Sequence, residues 1–376
     1  MGTDHELVGQ QAQPAVGAVR VKVSKSGRSF KVDRNRPVLE GALQAGLNLP
    51  HSCKGGNCGS CRARLLEGEI RYPNGRPLGL SDAEVEDGLI LLCQAQAESD
   101  LSIETFEASA ADDTPIKRLP GRIERIERLA HDVAAVYLRL PAAERFDFKP
   151  GQYLDILLSK GRRRSFSIAS PPHDARPVEL HVRLAPGGEF TESLFSGRMA
   201  GALLDIEGPL GHFIYREPPP PGAGPGAAAP MLLVGGGTGL APLLSIVRHV
   251  TERGAEREAE RDMTLYWGVR AERDLYAHAS LESLARRTPT FRYVPVLSEG
   301  SAQWRGRRGF VHAAALAELQ DLSRHEVYAS GPPAMIEALR RDFSARGVDP
   351  ARLWFDSFDY APDTLEHQRT SADTRS

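Results

Sequence analysis

The chain has little cysteine, four residues in 376, and no apolar segment behind a basic start: its N-terminus reads MGTDHELVGQQ. Both features argue against secretion and against a fold that depends on disulfides, so reduced thiols in a cytoplasmic protein are expected. Net charge is nearly absent, at -2. No global field then exists to attract nucleic acid or an anionic membrane, and neither is expected as a partner. A long unbroken hydrophobic run is missing too. The longest uncharged stretch, residues 218–247, is interrupted by prolines and by Gly235, Gly236, Gly237 and Gly239. Its end, MLLVGGGTGLAPLLSIV, reads as a buried strand, a loop and a helix, not as a membrane span.

The scarce cysteines are concentrated. Three of them fall in HSCKGGNCGSC, residues 51–61, and the fourth is Cys93. The spacing Cys53-x4-Cys58-x2-Cys61 with one distant Cys93 is the plant-type ferredoxin arrangement for a [2Fe-2S] cluster, in which each iron takes two thiolates. Glycines at 55, 56 and 59 let such a loop adopt positive φ and aim backbone N–H groups at the sulfides. A zinc site would be expected to show two C-x2-C pairs, and only one is present.

Three blocks are expected between disordered tails at residues 1–17 and 363–376. In residues 18–107, AVRVKVS and RSFKVD alternate as a hairpin, and PVLEGALQAGL places Val38, Leu39, Ala42 and Leu43 on one helix face. A linker at 108–115 leads to residues 116–217, whose signals are nearly all strands, including VELHVRL with its strict alternation; a barrel is predicted. After a Pro/Gly linker at 218–229, strands and helices alternate over residues 230–362, which implies a parallel sheet covered on both faces. The fold class is therefore multidomain: α+β, then all-β, then α/β.

RRRSFSIAS, residues 162–170, puts a cation, an aromatic ring and hydroxyls on one strand at Arg164, Ser165, Phe166 and Ser167. That set could pair a phosphate and stack a flat ring; taken alone it reads better as a basic strand on a solvated barrel face. In APGGEFT, which follows, Gly187, Gly188 and Thr191 could present N–H groups and a hydroxyl at a helix start, or form an ordinary glycine turn. GGGTGLAP, residues 235–242, follows a buried strand and opens a helix. It lacks the lysine of a Walker loop, and Leu240 stands where G-x-G-x-x-G needs its last glycine.

Together CKGGNCGSC with Cys93, GQYLDILL, RSFS, HVR, GGEFT, EGPLG, GGGTGLAP, YWGVR and YASGPPAMI resemble, in order, one family over residues 19–362. These are the bacterial NADH-dependent reductases that fuse an N-terminal plant-type ferredoxin to a ferredoxin-NADP-reductase-like module. Ring-hydroxylating dioxygenase reductases of the naphthalene type and CDP-6-deoxy-glucoseen reductases are the most similar branches. The resemblance implies a β-grasp ferredoxin, a flavin-binding barrel and a nucleotide-binding α/β domain, with a [2Fe-2S] cluster, FAD and NADH. It implies that Arg164 meets the FAD pyrophosphate with Ser165 beside it, that Phe166 stacks on the isoalloxazine, and that Ser167 bonds near flavin N5. His181, Val182 and Arg183 would line the flavin, and Gly187, Gly188 and Thr191 would hold its phosphates. Gly237, Thr238, Gly239, Pro242, Gly331 and Pro332 would border the nicotinamide nucleotide, and Phe358 would cover the flavin face. Ser330 stands where the family usually has Cys beside the hydride path. For His181 a half-exposed strand position, for Phe358 a core position and for Ser330 a plain strand end are the alternatives.

Hydride arrives as two electrons, whereas a [2Fe-2S] cluster takes one, so each block is intelligible only beside the other two. The expected activity is electron transfer from NADH through FAD and the cluster to an electron-accepting protein, an oxygenase or dehydrase component. The alternatives are a free flavin or ferric reductase and a redox-sensing binding protein. A monomer is expected. Glu299, in VPVLSEG, would repel a 2′-phosphate and favour NADH, although Arg270 and Arg273, in the loop after the preceding strand, could still meet a phosphate.

Overall fold

The computed structural model describes residues 17–51, 54–56, 59–77, 79–80, 82–105, 114–159, 162–174, 177–218, 229–257 and 261–358. Cys53 and Cys58 lie outside them, as do both tails and most of the two linkers. Among the described residues no helix is long and apolar enough to cross a membrane.

The first unit contains β1 (Ala18–Val23), β2 (Ser29–Asp33), α1 (Val38–Gln44), β3 (Arg62–Glu67), β4 (Ile70–Arg71), α2 (Asp82–Glu86), β5 (Leu89–Leu91), β6 (Gln96–Ala97) and β7 (Leu101–Glu104). Alternation in β1 buries Val19, Val21 and Val23 while Arg20 and Lys22 stay exposed. That apolar face meets Val38, Leu39 and Ala42 of α1 in one core. The sheet order is β2-β1-β7-β3-β5, with β1 and β7 parallel and the other neighbours antiparallel. Cys61 immediately precedes β3, and Cys93 lies two residues beyond β5; Leu92 N donates to Cys61 O at 3.1 Å, so the chain segments that carry these two cysteines are hydrogen-bonded side by side.

The second unit is a six-stranded sheet of antiparallel neighbours in the order β11-β10-β13-β8-β9-β12. Its elements are β8 (Lys117–Arg128), β9 (Val133–Arg139), β10 (Tyr153–Leu157), β11 (Arg163–Ser167), β12 (Val178–Arg183), α3 (Glu189–Phe195) and β13 (Leu203–Leu210). An antiparallel bridge between Ile168 and Leu180 joins the two edges of this sheet. The alternation in VELHVRL predicts one wet face for β12, and here the structure differs: Glu179 and His181 are buried along with Leu180 and Val182. Their face is covered by the third unit.

That unit contains β14 (Met231–Gly236), α4 (Leu240–Arg257), β15 (Met263–Val269), α5 (His278–Arg287), β16 (Phe291–Leu297), β17 (Arg307–Arg308), α6 (Val311–Glu318), β18 (Glu326–Gly331), α7 (Pro333–Ser344) and β19 (Leu353–Ser357). All neighbours are parallel, in the order β17-β16-β15-β14-β18-β19. Alternate residues of the central β14 feed two separate cores. Met231 and Leu233 pack with α4 and α5, and Leu232 and Val234 with α6 and α7, as a doubly covered parallel sheet requires. The strands' carboxyl ends point toward the second unit, the place where ligands bind in open parallel sheets.

Candidate functional site

In the cysteine loop, Lys54, Gly56 and Gly59 all have left-handed backbones, at φ 52°, 80° and 72°. Gly59 is required by space as well, since a Cβ there would fall 1.7 Å from the Arg62 guanidinium, which donates to Gly59 O and Gly79 O and pairs with Glu84 at 2.6 Å. Gln94 Nε2 donates to Lys54 O at 2.9 Å and to Cys93 O at 3.0 Å, stitching the loop to the fourth cysteine. Cys61 and Cys93 are buried and in no disulfide. Two buried sulfur donors, one ending the tightly curled loop and one beside it, suit an iron–sulfur cluster.

On β11 the predicted flavin residues lie between the second unit's own side chains and the third unit. Ser165 Oγ donates to Asp155 Oδ1 at 2.5 Å, and the Phe166 ring lies 5.7 Å from that of Phe190 on α3. Ser167 Oγ reaches Asp356 Oδ2 on β19 at 3.5 Å. Asp356 stands opposite Ser330 in the β18–β19 ladder, and the next residue, Gly331, accepts a hydrogen bond from Phe358 N at 3.3 Å. Ser167, Ser330 and Phe358 are therefore gathered around Asp356 and Gly331. Ser330 is fully buried, and among the described residues its hydroxyl has no hydrogen-bond partner. Phe358 is half-buried.

The glycine loop follows β14 as a 3-10 turn over Gly237–Gly239, with Thr238 half-buried and Pro242 buried in the first turn of α4. A Cβ on Gly239 would lie 2.2 Å from Ser330 O, and one on Gly237 would lie 3.0 Å from Arg183 Nη1. Backbone packs too closely at Gly239 for a side chain, so here the loop's backbone can approach a nucleotide closely. Pro332 caps α7 directly behind it. Arg164 donates to Arg163 O at 2.9 Å, and Arg183 pairs with Asp132 at 3.1 Å. Glu299 is exposed beyond β16, its N–H donating to Arg270 O at 2.8 Å.

Two expectations are corrected. Thr191 does not present its hydroxyl outward: Oγ1 lies within hydrogen-bond distance of Ala185 N, Ala185 O and Gly188 O, and Gly187 N donates to Glu192 Oε1. The loop satisfies itself because a buried hydroxyl must find partners locally. His181, in the alternative reading half-exposed, is buried, with Nδ1 3.1 Å from the Tyr276 hydroxyl and Nε2 2.9 Å from Glu179 Oε1. Glu179 also binds Arg248 at 2.6 Å. Tyr276 packs edge-on against Trp267, whose indole N–H donates to Gly237 O at 2.9 Å. This chain of contacts ties the barrel strand to the glycine loop, and none of it was readable beforehand.

Burial pushes the Glu179 carboxyl up, but the bonds from His181 and Arg248 outweigh it and bring its pKa to about 2. A carboxyl depressed in the folded state stabilises above its unfolded value and loses that contribution as pH falls through the folded one. From 4.5 down to about 2, the pairing contributes on the order of 3 kcal/mol. Glu179→Gln should therefore melt at a lower temperature than the parent at neutral pH, with the gap shrinking as pH falls below 4.5. Melting curves across that range check it; a gap independent of pH would contradict it.

Comparison with known proteins identifies a domain family for each of the three units. Residues 21–98 match the 2Fe-2S iron-sulfur cluster binding domain, 120–215 the oxidoreductase FAD-binding domain and 233–341 the oxidoreductase NAD-binding domain. The CDP-6-deoxy-L-threo-D-glycero-4-hexulose-3-dehydrase reductase of Yersinia pestis is 35% identical over 91% of this chain and 98% of its own. Reductase component 2 of terephthalate 1,2-dioxygenase from Comamonas sp is 33% identical over 88% of this chain and 94% of its own. Among solved structures, the Amycolatopsis cytochrome P450 reductase superposes with a TM-score of 0.73 at 34% identity, covering 91% of this chain and 99% of that one. The chain belongs to the family of reductases in which a [2Fe-2S] domain, an FAD-binding domain and an NAD-binding domain are joined to move electrons from NADH.

Proposed function

We propose that this chain is a reductase component serving a separate one-electron protein acceptor, an aromatic-ring oxygenase or a deoxysugar dehydrase. The observation that carries this reading is the chain of contacts through all three units. Lys54 of the cysteine loop meets Asp155, Asp155 accepts from Ser165 on β11, and Ser167 on the same strand meets Asp356 beside Ser330. The three units are assigned to residues 18–107, 116–217 and 230–362. The first is a β-grasp, and the second is a flavin-binding barrel that the Ile168–Leu180 bridge supports.

In this reading Cys53, Cys58, Cys61 and Cys93 ligate the cluster. Arg164 pairs a flavin phosphate, Phe166 stacks on the ring and Ser167 donates toward it, with Ser165 held aside by Asp155. Residues 181–183 contribute strand backbone, since the His181 ring is committed to Tyr276 and Glu179. Gly187 and Gly188 allow close approach, and Thr191 braces their loop. Gly237, Thr238, Gly239, Pro242, Gly331 and Pro332 border the nicotinamide nucleotide, and Phe358 covers the flavin face. Bound FAD would accept the electron pair of a hydride and release it singly to the cluster. The protein's contribution is placement: Asp356 orients the Ser167 hydroxyl, and the buried Ser330 helps keep water from the meeting point.

The test is to mix NADH-reduced protein with purified oxygenase and dehydrase components. Fast, saturable oxidation by one of them supports the reading. Equally fast turnover with free flavin or ferric chelates, and no preference for a protein, would replace it with a free reductase.

Two substitutions probe the nucleotide side. Glu299→Arg should raise kcat/KM with NADPH by roughly tenfold, because a cation replaces a carboxylate where a 2′-phosphate would lie; an unchanged coenzyme ratio would contradict this. Ser330→Cys replaces a buried hydroxyl that lacks a partner with a more polarisable, less polar thiol. Anaerobic stopped-flow should show flavin reduction several-fold faster at saturating NADH, with little change in NADH affinity. An equal or lower rate constant would reject the idea.

A further inference from the structure

Lys54 presents a contradiction that the cluster loop alone does not resolve. Among the described residues it is the one non-glycine with a left-handed backbone, at φ 52°. That conformation is disfavoured for side-chain-bearing residues, and glycines follow it directly at 55 and 56. If the loop needed only the backbone, glycine would serve here too. The Lys54 side chain must contribute something, and it does not point at the loop. Nζ lies 2.9 Å from Oδ2 of Asp155 on β10, in the neighbouring unit, and 5.4 Å from the Tyr153 ring centre.

Asp155 is itself anomalous, a carboxylate only 1% exposed in a strand of otherwise apolar inward residues. Burial pushes its pKa up, but Lys54, the Ser165 hydroxyl and Arg163 together hold it below the ordinary value, so it is charged at neutral pH. One of its oxygens accepts from Ser165 on β11, and the other takes Lys54 and, at 3.4 Å, Arg163. Beside it, His51 from the base of the cysteine loop packs edge-on against Tyr153, with ring centres 5.9 Å apart. Gln94, next to Cys93, holds the Lys54 carbonyl. The cysteine loop is thus tied to β10 through this ion pair, anchored at both ends.

We propose that Lys54–Asp155 is the positioning clamp that docks the iron–sulfur unit on the flavin unit and thereby sets the rate of electron passage between them. The inference rests on the function proposed above. The step concerned is the passage of one electron from reduced flavin to oxidised cluster, with no bond made or broken. Neither residue touches the reacting groups in this account; they hold the distance between them.

The test uses the full-length holoprotein and the variants Lys54→Met, Lys54→Arg, Asp155→Asn and the Lys54→Met/Asp155→Asn double. Iron, sulfide and FAD contents are measured first, and hydrogen exchange is followed in peptides covering β10 and residues 47–51. Flavin reduction and cluster reduction are then resolved by anaerobic stopped-flow. The clamp predicts unchanged flavin reduction by NADH in the Lys54 variants, with cluster reduction slowed roughly tenfold or more in Lys54→Met. It predicts faster exchange in β10 in the same variant, near-parent behaviour in Lys54→Arg, and no further loss in the double variant. Parent-like cluster reduction and exchange in Lys54→Met with its cluster fully loaded overturns the clamp, as does equal loss in Lys54→Arg. If Asp155→Asn does not fold, the Lys54 pair decides. A parent protein whose cluster takes no electrons from NADH overturns the proposed function itself, and the clamp with it.

Discussion

Cys93→Ser is expected to leave NADH-driven bleaching of the flavin intact while reduction of a one-electron protein acceptor falls to background. The thiol is 4% exposed and sits where Gln94 ties the end of β5 to the cysteine loop. A serine hydroxyl at that position is a far poorer ligand for iron than a thiolate, and the loop is too constrained to supply a substitute. The flavin half of the protein should not register the change. Its candidate contacts lie on β11, β19 and the glycine loop, upstream of the cluster in the direction of electron flow. Iron and sulfide analysis should show a depleted cluster beside normal FAD content. A variant that passes electrons to a protein acceptor at the parent's rate would remove Cys93 from the ligand set.

Gly239→Ala should produce the opposite pattern, damaging the hydride step and sparing the cluster. The added Cβ would sit 2.2 Å from Ser330 O, 2.6 Å from Ser330 C and 3.0 Å from Gly331 N. All three are backbone atoms, so no side chain can rotate away; the glycine loop and the end of β18 must move apart. Overpacking of this kind costs about 1–3 kcal/mol, and the displacement falls on the two residues that adjoin Asp356 and Phe358. We expect the KM for NADH to rise and flavin reduction to slow by at least about tenfold, with cluster content unchanged. Kinetics matching the parent would show that this loop does not approach the nucleotide.

The parts legible in the sequence were those whose causes are local. Cysteine spacing, the Val19–Val21–Val23 alternation and the strand–glycine–helix order around Gly237 each depend on neighbours in the chain; the last two are found as predicted, and the segment that holds the cysteines matches a 2Fe-2S domain. The strand–helix alternation implies helices such as α5 and α6 without placing them; α6 in particular carries six apolar residues in eight, a pattern without a clear polar face. Contacts between units were invisible for a different reason. Nothing near Glu179 in sequence announces Arg248 or Tyr276, and nothing near Lys54 announces Asp155. A charged residue on a strand reads as solvated until its partner, far along the chain, is known. The same blindness made the HVR segment look half wet, and it hid Asp356, which joins Ser167 to Ser330.

The account's central claim is that electrons from NADH reach the cysteine loop within one chain. It is tested most directly by mixing purified parent protein anaerobically with NADH, following the flavin band optically and the cluster by electron paramagnetic resonance in samples frozen along the time course. The account predicts about two irons and two labile sulfides per chain, a flavin that bleaches first, and a reduced-cluster signal that grows as electrons leave it. Tightly bound zinc in place of iron, or a loaded cluster that stays oxidised while the flavin remains fully reduced, would contradict it.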